Sequence, residues 1–277
     1  GAGTASALIT NDAVCVFGAP LVVALVRRHA LPPLPFLLAL ATSANTGSVA
    51  TLVGNPQNML CASLGGLDYG THLFALLPVA IVGLSLNHLL ILTVFRKSLD
   101  MPLVLGNAEP LLDRRSKITL SVIALTVLAY LLGADLAFTA VARACLLLPV
   151  HRRDADMVWR RVDWSVLIFF AALFVVVAGL VGSGLPRWIF EHFPLWSGDG
   201  RSSWVRLATI FLIGSNVVSN VPFILVIAPQ MSTLPDPRLG WELLAMASTL
   251  AGNLTLLGSV ANVIVAENAR EIGGLGF

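Results

Sequence analysis

The chain has 277 residues, of which 57% are hydrophobic and only 12% charged, with mean hydropathy +0.86. Soluble domains run at about 45–50% apolar and about 25% charged, so an ordinary water-soluble domain is excluded and a polytopic all-α membrane protein is the reading. The net charge of +2 says little about partners, and no nucleic acid is expected.

The first residues, GAGTASALITND, lack the charged n-region and cleavage pattern of a signal peptide and read as the interior of a structure already begun. Apolar segments then fall at about 13–26, 34–62, 73–95, 118–150, 165–185, 207–230 and 239–266. Segment 34–62 carries Gly54, Asn55, Pro56, Gln57 and Asn58 at its polar centre. Gly54 is a poor helix former and Pro56 has no amide hydrogen, so the helix is expected to break there. The asparagines and the glutamine need partners that lipid does not supply.

Runs 73–95 and 165–185 carry no charged residue, and each is long enough to cross a bilayer. Segment 118–150 is too long for one crossing, since 33 helical residues would reach about 50 Å against a core of about 30 Å. Gly133-Ala134-Asp135 is expected to split it. Two crossings there put the basic loops 96–117 and 151–164 on one face, which is cytoplasmic by the positive-inside rule, and loop 62–72 outside. Lysines and arginines then divide twelve inside to four outside, with Arg143 left in a span. This topology requires 5–26 and 207–230 each to enter and return on one face as re-entrant hairpins.

TLVGNPQNML (51–60) matches TLLGSVANVI (255–264) at Thr51/Thr255, Leu52/Leu256, Gly54/Gly258 and Asn58/Asn262. SALITNDAVCVFGAPL (6–21) matches SNVVSNVPFILVIAPQ (215–230) at Ser6/Ser215, Asn11/Asn220, Ala19/Ala228 and Pro20/Pro229. Each half thus holds a polar hairpin followed by a broken helix. Segments 34–62 and 239–266 run in opposite directions on the topology above, so the repeats are inverted, a signature of secondary transporters. The expected division is an N-terminal repeat 1–95, a cytoplasmic linker 96–117 and a C-terminal repeat 118–277.

These residues resemble the ion transporter superfamily, the citrate-transporter-like permeases. Family members carry a Ser-Asn-Thr triplet at each hairpin tip and a Gly-Thr/Asn-Pro-Pro-Asn break in each following helix. Here the triplets read Thr10-Asn11-Asp12 and Ser219-Asn220-Val221, and the breaks Gly54-Asn55-Pro56-Gln57-Asn58 and Gly258-Ser259-Val260-Ala261-Asn262. Val162-Asp163-Trp164-Ser165 and Ser248-Thr249-Leu250-Ala251-Gly252-Asn253 are also similar to family members. The resemblance implies Na⁺ coordination by Asn11 and Asn58 in one half and by Asn220 and Asn262 in the other. It implies a shared anion site, elevator-like movement, a homodimer in the full-length protein and a multi-pass position in the cell (inner) membrane. Further spans at both ends are implied too, so the chain reads as truncated.

Two departures bear on the site. Asp12 replaces a hydroxyl, either capping its helix or drawing a cation, and Val221 removes a hydroxyl. Arg143 is either a packed, snorkelling side chain or an anion contact. His88, beside Asn87, reads as a helix–helix contact rather than a proton relay.

The expected function is a secondary active transporter for a small inorganic or organic anion, with Na⁺ or H⁺ as the coupling ion and no other cofactor. A cation/proton antiporter on the same scaffold is the alternative, and a non-transporting membrane scaffold a more distant one. No HExxH or GxSxG motif is present and the five histidines are scattered, so no enzyme is expected. Cys15, Cys61 and Cys145 lack a Cys or His at metal-ligand spacing and read as small buried side chains.

Overall fold

The computed structural model describes residues 1–100, 114–150, 164–196 and 200–270, and every regular element among them is helical. In chain order the α-helices are α1 (Ala2–Leu8), α2 (Asn11–His29), α3 (Pro33–Ser48), α4 (Pro56–Gly65), α5 (Tyr69–Val94), α6 (Arg96–Leu99), α7 (Arg114–Leu131) and α8 (Leu136–Val150). They continue as α9 (Trp164–Gly182), α10 (Leu185–His192), α11 (Arg201–Val218), α12 (Asn220–Ile227), α13 (Pro237–Ala251) and α14 (Val260–Arg270).

Local chemistry sets many of these boundaries. Thr10, Asn55, Asp68 and Asp236 each accept a backbone N–H in the first turn of the helix that follows, satisfying a donor with no partner within the helix. Pro33, Pro56 and Pro237 sit at first helical positions, where the missing N–H costs nothing. Gly66 closes α4 in the left-handed conformation, φ 61°. Polar interruptions expected from the sequence separate α1 from α2, α3 from α4, α11 from α12 and α13 from α14.

The described chain forms two compact units. The smaller covers 104–176, and there α7 packs against α8. The turn between them falls at the expected Gly133-Ala134-Asp135, with Gly133 at φ 85° and the Tyr130 hydroxyl donating to Leu136 O. Most of the basic loops 96–117 and 151–164 lies outside the described residues.

The larger unit takes in 1–103 and 177–277, and so holds all four interruptions. Its apolar centre joins Val14, Cys15, Ala19 and Val23 of α2 to Leu37, Leu40, Ala41 and Ala44 of α3 and Ala261, Val265 and Ala269 of α14. The many alanines let backbones approach closely, the packing mode available where apolar burial alone gives helices no reason to associate. Cys61 is buried as expected, whereas Cys145 is exposed. A second group forms where α13 meets α4 and α11, with α12 against α4.

Helix α5, 26 residues long, is long and apolar enough to cross a membrane on its own, and Ala171–Gly182 of α9 qualifies together with α10 as a pair bent by 57°. The outer face of α5 is apolar, with Phe74 73% and Leu90 61% exposed. Such a surface has no place in water over this length.

Helix α1 lies very close to α3. A Cβ at Gly47 would overlap the carbonyl and Cα of Gly3, so glycine is required there by space rather than by φ. Gly47→Ala is therefore expected to destabilise the protein by about 1–3 kcal/mol, read as a lower unfolding midpoint in detergent. Gly179→Ala meets nothing within 4 Å and serves as the neutral comparison.

Candidate functional site

A helix that stops inside an apolar interior leaves carbonyl oxygens without partners, each costly to bury. In the first interruption, residues 49–55, several of those groups find partners. Asn58 Nδ2 donates to Ser48 O (3.1 Å) and Thr51 O (3.0 Å). The Asn11 backbone N–H donates to Gly54 O at 2.8 Å, tying the start of α2 to the break. Asn55 Oδ1 accepts from Asn58 N at 2.8 Å and so caps α4. The chain doubles back so closely that a Cβ at Gly54 would overlap the Ser48 carbonyl.

The second interruption repeats the bonds of Asn58 and Gly54 at a constant offset along the chain. Asn262 Nδ2 donates to Gly252 O (2.6 Å) and Thr255 O (3.1 Å), as Asn58 does to Ser48 and Thr51. Gly258 N donates to Thr255 O (3.1 Å), as Gly54 N does to Thr51 O (3.2 Å). Asn220 Nδ2 donates to Gly258 O (3.1 Å), where Asn11 uses its backbone N–H on Gly54.

The two interruptions also bond to each other, crosswise. Asn55 Nδ2 donates to Thr249 Oγ1 (3.1 Å), whose hydroxyl donates to Asn58 Oδ1 (2.9 Å). At the matching positions, Ser259 Oγ donates to Asn45 Oδ1 (2.9 Å), and Asn45 Nδ2 donates to Asn262 Oδ1 (3.0 Å). Asn45 further accepts from Asn11 Nδ2 (2.9 Å) and donates to Asn253 Oδ1 (3.0 Å). Both donors and both acceptors of its amide are then engaged. All these side chains are buried except the half-buried Asn253.

The structure thus gathers most of the expected residues, with different partners. Asn11 reaches Asn262 of the other half through Asn45, and Asn58 meets Thr249 rather than Asn11. Thr10 is the N-cap of α2, accepting from Ala13 N, so Asp12 is not that cap. Instead the Asp12 carboxylate lies within electrostatic reach of Ala261 in the first turn of α14, where the helix dipole favours negative charge; the Ala261 N–H itself donates to Ser259 Oγ at 3.2 Å. Pro56 and Gly258 shape the breaks. Ser219 is exposed and sits at φ 80°, a region that costs a non-glycine residue about 1–3 kcal/mol. It is Ser215 that donates to Asn220 Oδ1, at 2.7 Å.

Arg143 is half-buried in α8 of the smaller unit, within electrostatic reach of Tyr130. His88 is exposed, while Asn87 beside it ties α5 to Thr42 and Ser43 of α3.

Asn45 escaped the sequence reading, and Thr249 entered it only within a stretch similar to family members, with no site role, although both lie in polar patches of apolar segments, Thr42-Ser43-Ala44-Asn45-Thr46 and Ser248-Thr249. Their signal was the patch itself. Both residues occupy one repeat position, but the types differ, so no identity marks the pair.

A sequence profile described as Citrate transporter matches residues 1–251. The Silicon efflux transporter LSI3 of Oryza sativa subsp. japonica is 34% identical over 96% of this chain and 69% of its own length. A Dictyostelium discoideum protein carrying the transporter name arsB is 27% identical over 98% of this chain and 69% of its own. The 46 kDa membrane protein of Mycobacterium leprae is 27% identical over 97% and 67%. These matches define the class as helical membrane transporters, not enzymes. Within that class, the chain belongs to the Citrate transporter family.

Removing the Asn45 amide leaves Asn11, Asn253, Ser259 and Asn262 short of a partner each. Asn45→Ala is expected to cost about 1–3 kcal/mol in detergent unfolding. Asn45→Asp does no better, because its second oxygen then faces the amide oxygens of Asn253 and Asn262.

Proposed function

We propose that this protein is a secondary active transporter moving a small inorganic or organic anion across the cell (inner) membrane, coupled to Na⁺ or H⁺. The observation that carries this reading is the crosswise bonding of the two interruptions. When residue i of one half meets j of the other, and j of the first meets i of the second, the contacts obey a two-fold axis. The topology read from the basic loops runs the two broken helices in opposite directions, which puts that axis in the membrane plane. The halves are then inverted repeats, with re-entrant hairpins at α1–α2 and α11–α12 and a binding site between them.

An anion suits the breaks because α2, α4, α12 and α14 all begin there, with their positive ends at the amide cluster. The names of the family and of the rice relative, citrate and silicon, favour a small, oxygen-rich solute. Na⁺ as co-substrate would use break carbonyls and the amide oxygens of Asn11, Asn58, Asn220 and Asn262. Alternating access is by elevator-like movement within a homodimer. A cation/proton antiporter is the second reading, favoured by the carboxylate of Asp12 beside Asn11.

Proteoliposomes holding the protein, offered citrate, silicic acid and arsenite under imposed Na⁺ or pH gradients, test the choice. Accumulation of one of these solutes on one gradient is expected. Na⁺/H⁺ exchange without it selects the antiporter, and no flux at all sinks both readings. In the same assay Asn58→Ala and Asn262→Ala are each expected to weaken dependence on the coupling cation. Wild-type rates and cation dependence in both variants mean that the asparagines only hold the helices together.

Topology is checked by cysteine labelling from outside the cell. A probe in 62–72 should react, and probes in 96–117 and 151–164 should not. Labelling of either basic loop removes the inverted arrangement.

A further inference from the structure

Two ionisable side chains meet in the interior of the larger unit, outside the amide cluster. His72, one turn into α5, is fully buried, and Glu242, in the second turn of α13, is 8% exposed. His72 Nδ1 lies 2.5 Å from Glu242 Oε2, and His72 Nε2 lies 3.2 Å from the carbonyl oxygen of Val49. Val49 is the first residue of the first interruption. Glu242 Oε1 is buried and has no hydrogen-bond partner among the described residues.

The proton count of this chain of contacts is constrained. Val49 O only accepts, so Nε2 must carry a hydrogen. Nδ1 and Oε2 then need a second hydrogen between them, held either as imidazolium with carboxylate or as imidazole with carboxylic acid. With both contacts made as hydrogen bonds, the arrangement therefore contains one more proton than neutral imidazole plus carboxylate. Remove it, and two lone pairs face each other at hydrogen-bonding distance. The ring can relieve that by moving its remaining hydrogen to Nδ1, but Nε2 then turns a lone pair on Val49 O and the break loses a donor. Otherwise Glu242 must withdraw, leaving an unpaired buried carboxylate.

We propose that His72 and Glu242 form a proton-binding site, and that release of its single proton loosens the first helix interruption at Val49. The balance is one H⁺ to water, with the buried pair passing from net zero to one negative charge. Proton occupancy is thereby tied to the backbone that also holds Asn58 and Gly54. The site deepens the H⁺-coupled form of the transport reading and rests on it for its role in the cycle, though not for its existence.

Few other charged groups face the pair. Cys61 of α4 is within electrostatic reach of Glu242. Asp68 caps α5 in an exposed position, and Arg238 is exposed in the first turn of α13. From α11, also packed on α13, come only the exposed Arg201 and Arg206. Neither α3 nor α12 carries a titratable side chain. The site is thus one pair rather than a diffuse cluster.

Glu242→Gln is the informative variant, because its amide N–H donates to Nδ1 and imitates the loaded pair without a releasable proton. Protein labelled with ¹⁵N-histidine, with the His72 signal assigned by His72→Gln, is titrated in detergent over about pH 5 to 9. In wild type the His72 ring is expected to change state within that range, and in Glu242→Gln to lose the change or move it by more than about one pH unit. A wild-type ring that stays constant, or one that behaves identically in Glu242→Gln, overturns the proposal.

In proteoliposomes supplied with citrate or silicic acid, Glu242→Gln is expected to reduce pH-gradient-driven accumulation at least tenfold. Its counterflow should become flat across the same pH range. Undiminished, pH-gradient-driven accumulation in the variant also overturns the site. If wild type moves neither probe, the transport reading fails while the histidine titration still decides the site.

Discussion

Everything described in the larger unit depends on one constraint: a helix may stop inside an apolar interior only if its exposed backbone groups find partners there. Amide side chains meet it here. An asparagine presents two donors and two acceptors on a short, stiff stem, so one residue can serve two carbonyls and still bond another side chain. Asn58 and Asn262 do this for the two interruptions. Without them the breaks would carry unpaired carbonyls, each worth about 1–3 kcal/mol.

The same economy shapes what the site can do. Its side chains are neutral amides and hydroxyls, so its electrostatic character comes from four helix N-termini and from Asp12. On the proposed transport reading, neutral groups would bind ions without demanding a permanent counter-charge, as a site that loads and unloads requires. Because the two interruptions hold each other through Asn45 and Thr249, displacing one half disturbs the partners of the other. Any coupling between the two interruptions would thus run through shared hydrogen bonds, with no need for a longer path.

Glycine and small residues set how closely this arrangement packs. Gly47 against Gly3 and Gly54 against Ser48 are approaches that a single methyl group would block. Ser219, at φ 80°, shows the opposite case, a residue held in a costly conformation beside the Asn220 amide. Strain of this kind persists only where neighbouring contacts over-determine it.

The sequence by itself determined the helical class, the positions of the interruptions and the split at Gly133-Ala134-Asp135. These are local properties: apolar run length, proline, glycine and capping residues act over a few neighbours, so they can be read along the chain. It also marked Asn11, Asn58, Asn220 and Asn262, because each repeated at its own offset. Only the tertiary structure decided their partners. Asn45 with Asn262, Asn55 with Thr249 and His72 with Glu242 join residues 170 or more apart in the chain. Asp12, read along the chain as a cap of its own helix or as drawing a cation, is not that cap and lies within electrostatic reach of Ala261 in α14. Such pairings follow from which helices lie side by side, and hydrophobic periodicity carries no record of that.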